Sequence, residues 1–264
     1  RRNGTLRIKG PVALAGQGNG LVINWHIHKD QKGYEYLIVA MEETDAVRFY
    51  FTTDTLSDTA VWTKLTNAGS DLVYTPGYYP TFCSFQTKVY IQNGFNGVVE
   101  FDGSAAVAIP DLPKCRFMVA AHRRLWLINL LTDPLGIQPS AFDEARFTGN
   151  ENQENMYYKG STVNLPDAGL YHYRIPAQKE VIEGATYYKG VIIFGCSRSL
   201  WMGHGGMDPS GQVVSEERMR IIRLTSVIGL GTGRTFSETP FGDLMFRGND
   251  GQLYKWTGSI MGAE

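Results

Sequence analysis

Two histidines close together on one segment are the first candidates for chemistry in this sequence. His26 and His28 are two residues apart, and alternate side chains of a strand share a face, so both imidazoles would point the same way. Some metal sites use this spacing, but a third ligand would have to come from a distant His122, His172 or His204. We therefore favour solvated or hydrogen-bonded histidines over a metal site, and we expect no metal and no other cofactor.

Acidic and nucleophilic residues form no specific catalytic pattern. A glycosidase needs two carboxylates about 5–10 Å apart in a cleft. The candidates that the sequence offers without pairing them are Asp111, Asp133, Asp143, Glu144, Asp208, Glu216 and Glu217. The glycine-rich segment 229–234 lacks the Lys-Ser/Thr of a phosphate-binding loop, and the segment 195–199 misses the Gly-x-Ser-x-Gly of a nucleophile elbow. The sequence predicts a protein that is not an enzyme.

Net charge and composition exclude some classes of protein for this sequence. The 264 residues carry a formal net charge of −1, so the basic signature of sequence-independent nucleic-acid binding is missing. Glycine accounts for 30 residues, as expected where many short strands need many turns. The sequence shows no apolar run as long as a membrane span and no signal-peptide pattern at its start, so we expect no membrane partner.

The cysteines and the chain ends give two further expectations. Cys83, Cys115 and Cys196 are widely spaced within apolar segments, which predicts buried free thiols and synthesis in a reducing compartment. The sequence opens with Arg1 rather than Met and ends at Glu264 directly after a repeat unit. We expect a processed product or a segment of a longer polypeptide.

A hairpin pattern that occurs three times supplies the framework for these residues. Residues 89–104 align without a gap on residues 244–259, and a looser copy covers 191–203. Each copy has a short apolar strand, a turn of Gly, Asn, Asp or Ser, and a second apolar strand with an aromatic residue. Asn and Gly adopt the positive φ angles of tight hairpin turns, so the segment 249–251 is predicted to be such a turn.

Repeated antiparallel hairpins predict an all-β, β-propeller-like fold with about five to six small blades and long surface loops. No segment has a sustained helical period. We expect a single domain over 1–264, and Trp62, Trp126, Trp201 and Trp256 are interpreted as packing between blades. The predicted blade-like units are 5–66, 79–109, 115–148, 181–227 and 229–260, with a loop-rich insertion over 130–180.

Three segments in the second half of the chain resemble a known family. The strand pair at 116–127, the unit at 188–202 and the unit at 228–254 are similar, in order and spacing, to segments of propeller proteins from short-tailed bacteriophages. That family comprises tail and head-completion proteins, including DNA-stabilisation plugs and tail nozzles. The resemblance covers about residues 115–258.

The resemblance implies a structural protein of the phage virion, synthesised in the host cytoplasm. It would dock below the portal and adaptor rings, assemble into a homo-oligomeric ring, with sixfold symmetry favoured, and help retain and release DNA. Genomic DNA would pass through the channel without sequence readout. As interface residues we predict Arg123 and Arg124, together with Asn150, Glu151 and Asn152 in the loop-rich stretch.

Two alternatives remain open at this stage. One is a propeller enzyme of glycosidase or sialidase type, which requires a carboxylate pair or an arginine cluster at the propeller axis. The other is a carbohydrate-binding or protein-binding propeller, in which the four tryptophans would serve as ligand platforms. A fold alone does not decide between these functions.

Overall fold

The computed structural model describes residues 20–30, 32–54, 61–110, 112–122, 124–130, 141–149, 152–156, 172–175, 180–204, 220–231 and 236–256. These residues form antiparallel β-sheets and contain no helix, so the all-β prediction is confirmed. Within the described ranges, nothing helical is long and apolar enough to cross a membrane. The chain divides into two compact units, Arg1–Ile109 and Pro110–Glu264.

The described residues of the first unit form two sheets. Its strands are β1 (Leu21–Lys29), β2 (Glu35–Glu42), β3 (Val47–Thr52), β4 (Thr63–Lys64), β5 (Thr66–Asn67), β6 (Ser70–Asp71), β7 (Val73–Tyr74), β8 (Thr81–Phe85), β9 (Lys88–Gln92), β10 (Val99–Phe101) and β11 (Ala106–Ala108). The first sheet has the order β1-β2-β3-β4, with β7 also on β3, and the second has the order β6-β5-β11-β10-β9-β8. The hairpin β5–β6 joins the second sheet through a parallel pairing of Asn67 with Ala106.

An apolar core lies between these two sheets. Strand β2 contributes Ile38 and Ala40, and β10 contributes Phe101, all of them buried in one cluster. Because successive residues of a strand point to opposite faces, Val39 belongs to a second cluster on the other side of the first sheet. Burial on both faces explains why β2 is a continuous apolar run rather than an alternating one.

In the part of the second unit that the structure describes, the strands form three sheets. Its strands are β12 (Cys115–Ala121), β13 (Arg124–Leu130), β14 (Ala141–Gly149), β15 (Asn152–Met156), β16 (His172–Arg174), β17 (Ile182–Tyr188), β18 (Val191–Cys196), β19 (Leu200–His204), β20 (Arg220–Thr225), β21 (Ser237–Glu238), β22 (Leu244–Arg247) and β23 (Leu253–Trp256). The third sheet has the order β12-β13-β14-β15 with β16 on β14, the fourth β17-β18-β19-β20, and the fifth β21-β22-β23. The stretch 130–180, predicted to be loop-rich, contains β14, β15 and β16 in its described part.

Each sheet of the second unit packs on the next one along the chain. Trp126 of the third sheet and Trp201 of the fourth lie in one buried cluster. Met202 of the fourth sheet and Leu244 of the fifth lie in another, against which Trp256 packs. Trp126 and Trp201 are therefore core residues, and Trp256 is partly buried between sheets, as predicted. Trp62 is partly buried against a cluster of first-sheet residues, so among the described residues it packs on one sheet rather than between two.

The predicted hairpin repeat is confirmed down to its register. Tyr90 pairs with Glu100 across β9 and β10, and the residues aligned with them, Met245 and Lys255, pair across β22 and β23. The looser copy forms the hairpin β18–β19. The predicted turn at 249–251 closes β22–β23, and Gly251 has a φ of +83° there. Turn chemistry and alternating apolar residues were sufficient to fix these pairings.

Candidate functional site

The histidine pair lies on one face of β1, as predicted, and both rings reach the same serine of the second sheet. His26 Nε2 is 2.7 Å from Ser84 Oγ, and His28 Nδ1 is 2.9 Å from that oxygen. His28 Nε2 is 3.2 Å from the carbonyl oxygen of Thr87. The favoured prediction of hydrogen-bonded histidines is thereby confirmed, and the three residues are called the His–Ser–His cluster below.

The donor and the acceptor of each hydrogen bond in the cluster follow from the chemistry of the groups involved. A carbonyl oxygen only accepts, so His28 Nε2 carries a proton for Thr87, and His28 Nδ1 is left as an acceptor in the neutral ring. The Ser84 hydroxyl then donates to His28 Nδ1 and accepts from His26 Nε2–H. One arrangement of protons on two neutral imidazoles satisfies all three bonds.

Aromatic rings enclose the cluster. Phe82 stacks on His26 with ring centroids 5.8 Å apart, and Tyr36 stacks on His28 at 6.2 Å. His28 is only 3% exposed. Burial, followed by the charge of His28, lowers the pKa of His26 from its ordinary 6.5 to about 4. His26 is therefore neutral at pH 7.

The three remaining histidines lie elsewhere in the second unit. His122 follows β12 at a positive φ of 50°, and its ring meets Tyr187 edge-on at 5.2 Å. Burial, followed by the charge of Arg124, lowers its pKa. His172 begins β16 and His204 ends β19. Among the described residues, no group of three or more His, Cys, Asp or Glu side chains could hold a metal ion.

The predicted interface residues fall partly on the described chain. Arg124 begins β13, pairs with Ala121 across the hairpin and is fully buried. Asn152 begins β15. Arg123, Asn150 and Glu151 lie outside the described residues. The interface role of all five stays a prediction.

Other candidates from the sequence can also be placed. Asp143 and Glu144 are neighbours on β14, and the other five carboxylates considered for a glycosidase lie outside the described residues. Cys83, Cys115 and Cys196 are buried free thiols, as predicted.

A polar contact in the second unit fastens the fourth sheet to the fifth. Asn249, in the turn between β22 and β23, donates from Nδ2 to the carbonyl of Ser197, 3.0 Å away in the turn between β18 and β19. Its Oδ1 accepts from the amide of Gly229 at 3.4 Å, and its own amide donates to the Gly229 carbonyl at 3.0 Å. This contact is called the Asn249 clasp below.

A second serine has a different setting in the fourth sheet. Trp201 Nε1 donates to Ser199 Oγ at 2.7 Å, and Ser199 Oγ donates to Glu180 Oε2 at 2.9 Å. The Arg198 amide donates to the same carboxylate oxygen at 3.0 Å. This carboxylate orders the turn before β19 and orients the buried indole. The sequence alone did not reveal it, because Glu180 and Ser199 are far apart along the chain.

Two exposed apolar surfaces stand out in the first unit. Trp25 and Ile27, on the face of β1 opposite the histidines, are 53% and 48% exposed. At one set of turns, Tyr78 and Phe95 stack with centroids 4.6 Å apart and are 44% and 48% exposed, with the exposed Tyr79 adjacent in sequence. We call the first pair the β1 strip and the three rings the aromatic turn patch.

Asparagine side chains build the turn that carries Phe95. Asn93 Oδ1 accepts from the amides of Phe95 and Asn96 at 3.0 and 2.7 Å. Asn96 Oδ1 accepts from Asn93 Nδ2 and from the Thr75 amide, each at 2.9 Å. The ring of Phe95 is thus held outward by a hydrogen-bonded turn.

No protein-family model matches this chain, and no curated protein matches it either. The functional argument therefore depends on the residues and their geometry.

Proposed function

We propose that this chain is a non-enzymatic structural subunit of a short-tailed phage virion, part of the tail or head-to-tail channel. The three segments that resemble this family lie on β12–β13, on β17–β19 and on the region of β22–β23. They thus occur once in each sheet of the second unit, as repeated blades of a propeller would. In this proposal the sheets are blades of a propeller-like fold.

The observation that carries the proposal is the exposed apolar surface of an edge strand. Among the described strands, β1 lies at the end of its sheet in the strand order. Its exposed Trp25 and Ile27 form an apolar surface of the kind that marks contacts between proteins. Long edge strands with exposed apolar side chains are otherwise avoided by monomeric proteins, because they promote association. A subunit that assembles into a ring has a use for such an edge.

In the assembly, the β1 strip would contact neighbouring copies and the portal or adaptor proteins, with Arg123, Asn150, Glu151 and Asn152 as further predicted interface residues. Genomic DNA would pass through the ring without sequence readout, and the net charge of only −1 gives the chain no basic signature for holding DNA phosphates. The protein would make and break no bond. Its work would be to close, line and open a channel.

Electron cryo-microscopy of the purified protein tests this function first. We expect a ring of subunits around an axial channel, with β1 at or near a subunit contact. The variant Trp25→Ser/Ile27→Ser should shift the protein to monomers in light scattering. Val107→Ser changes an equally exposed apolar residue on β11 and serves as the control. A wild-type protein that stays monomeric at every concentration, alone and with portal protein, would contradict the proposal.

The aromatic turn patch supports one second candidate, a carbohydrate-binding propeller. Exposed, rigidly held rings offer flat apolar faces on which the C–H face of a sugar ring can pack. Glycan-array binding that is lost in Tyr78→Ala and Phe95→Ala would favour this function. Tyr34→Ala is the control, because Tyr34 is even more exposed, at 60%, but lies away from these turns in sequence. Binding that survives both patch variants would eliminate this candidate.

A further inference from the structure

We propose that the His–Ser–His cluster is an acid-sensitive latch, which holds edge strand β1 on the second sheet and releases it when the imidazoles gain protons. The latch is formed by side chains from one face of β1. Asn24 Nδ2 donates to the Pro80 carbonyl at 2.8 Å, and His26 and His28 follow at alternate positions with their bonds to Ser84. These contacts join segments 56–59 residues apart.

Protonation removes the acceptor on which the cluster depends. A proton on His28 Nδ1 would turn this nitrogen into a donor directed at Ser84 Oγ, which already receives the N–H of His26. The serine hydroxyl then faces two donors and has lost the acceptor for its own proton. A second proton on His26 would place two cationic rings against one oxygen inside an aromatic enclosure, where charge is poorly solvated.

Other charged and titratable side chains lie on the strands around the His–Ser–His cluster. Tyr36 of β2 stacks on His28, and its pKa is raised by burial and then by the charges of Asp30 and its neighbours. From β9 and β10, Lys88 and Glu100 pair with each other at 2.6 Å. The face towards β8 presents Phe82, which is apolar.

The carboxylate of Asp102 also acts on Tyr36 and lies after β10. It is itself bound to the Ser104 amide and hydroxyl, both at 2.8 Å. Asp102 is thus engaged in its own turn rather than in direct contact with an imidazole. Of the described groups, His28 is the one whose charge acts on the pKa of His26.

The low pKa of His26, about 4, places the release below pH 6.5. The bond of Asn24 to Pro80 involves no titratable group, so it persists in acid. Strand β1 should therefore open from its histidine end. Opening exposes the edge of β8 and partly buried apolar side chains that pack on the core, such as Phe82 and Tyr36.

Hydrogen exchange of the full chain, followed by mass spectrometry from pH 7.5 to 4, tests the latch. After correction for the intrinsic exchange rate, protection of β1 should fall on the order of a hundredfold, because each pKa unit of difference is a factor of ten in the opening equilibrium. Protection of β22 and β23 should stay constant and serves as the internal reference. Equal losses in both regions, or none in β1, would overturn the proposal.

A double variant that lacks both imidazoles tests whether they cause the pH dependence of β1 protection. In His26→Gln/His28→Asn the glutamine amide can still donate to Ser84, and the asparagine oxygen can still accept from it. Protection of β1 should then be independent of pH, whereas the control His204→Gln should behave like wild type. A wild-type pH profile in the double variant would exclude the imidazoles as the cause.

A direct titration keeps the proposal testable if the double variant fails to fold. The ring protons of His26, followed by NMR in the wild-type protein, should titrate near pH 4. Ser84→Ala removes the shared oxygen and should loosen β1 at pH 7. A folded wild-type protein in which His26 titrates at its ordinary pKa of 6.5 would overturn the latch.

Discussion

The His–Ser–His cluster of the first unit and the Asn249 clasp of the second both fasten one sheet to the next. Each connects residues far apart in sequence, 58 positions for His26 and Ser84 and 52 for Asn249 and Ser197. The cluster is enclosed by aromatic rings and depends on two ionisable side chains. The clasp is exposed and depends on a neutral amide and backbone groups.

The difference shows that one sheet can be held on the next either by contacts that depend on pH or by contacts that do not. A buried imidazole pair holds only while it is neutral, because burial penalises its charged form. An amide side chain bound to backbone groups has no protonation state to lose between pH 4 and 8. The first unit therefore has a pH-dependent fastening, and the second has one that acidification leaves intact.

The largest effect is expected in the core between the third and fourth sheets. Trp201→Ala should lower the free energy of unfolding by about 3–5 kcal/mol, because it empties a large buried site between the third and fourth sheets. Trp201→Phe retains most of the ring volume and loses the bond to Ser199, so a clearly smaller loss is expected. Urea denaturation measures both variants. Equal losses would mean that the hydrogen bond, rather than the packing, dominates.

Acidification should weaken the first unit next. His26 has a folded pKa of about 4 against an ordinary 6.5, so its neutral state contributes full stability above pH 6.5. The unfolded chain takes up the proton first, and as pH falls to 4 the free energy of unfolding should drop by about 3 kcal/mol. Urea denaturation across this range should show a clearly shallower slope for His26→Gln. The same slope in both proteins would refute the assignment.

A matched pair of glycines compares close packing in the two units. A Cβ at Gly229 would lie 2.3 Å from the carbonyl carbon and oxygen of Ser197, whereas a Cβ at Gly97 would meet no atom within 4 Å. Gly229→Ala should cost about 1–3 kcal/mol and disturb the clasp. Gly97→Ala should be neutral or stabilise by up to about 1 kcal/mol, because it restricts the unfolded chain. Thermal unfolding by circular dichroism checks the order of the two variants.

The smallest effect should come from the clasp side chain itself. Asn249→Ala removes the bonds to Ser197 and Gly229 and should cost about 1 kcal/mol, equally at pH 7 and pH 5. Gln252→Ala, in the same turn, is the control and should have less effect. A loss that grows with acid would show that the clasp is coupled to a titrating group.

The sequence was sufficient to predict local geometry, but it did not predict which distant residues come into contact. The paired histidines were predicted to share a face because a strand has a period of two, and that face is observed. Ser84 could not be predicted as their partner, since a serine on a strand carries no signal for a residue 56 positions away. The hairpin β8–β9 also turns at Gln86 with a φ of +54°, where no glycine or asparagine marked a turn.

The interface residues illustrate the same limit. Arg124 was predicted from the sequence to be an interface residue. Its complete burial follows from the packing of the third sheet, which only the tertiary structure shows. The register of β22–β23, in contrast, follows from the turn and the alternation around it, which are local.

The hairpin β5–β6 has a consequence for protein engineering. Its residues, 66–71, arise between two strands that pair with β3 in the first sheet, yet they complete the second sheet at β11. A segment of the second sheet is therefore inserted in the chain between two strands of the first sheet, so the two sheets are not interchangeable modules. A truncation that removes either sheet would leave an uncovered edge on the other. Engineered variants that add, delete or permute repeats should thus keep residues 21–108 together as one unit and place their junctions outside it.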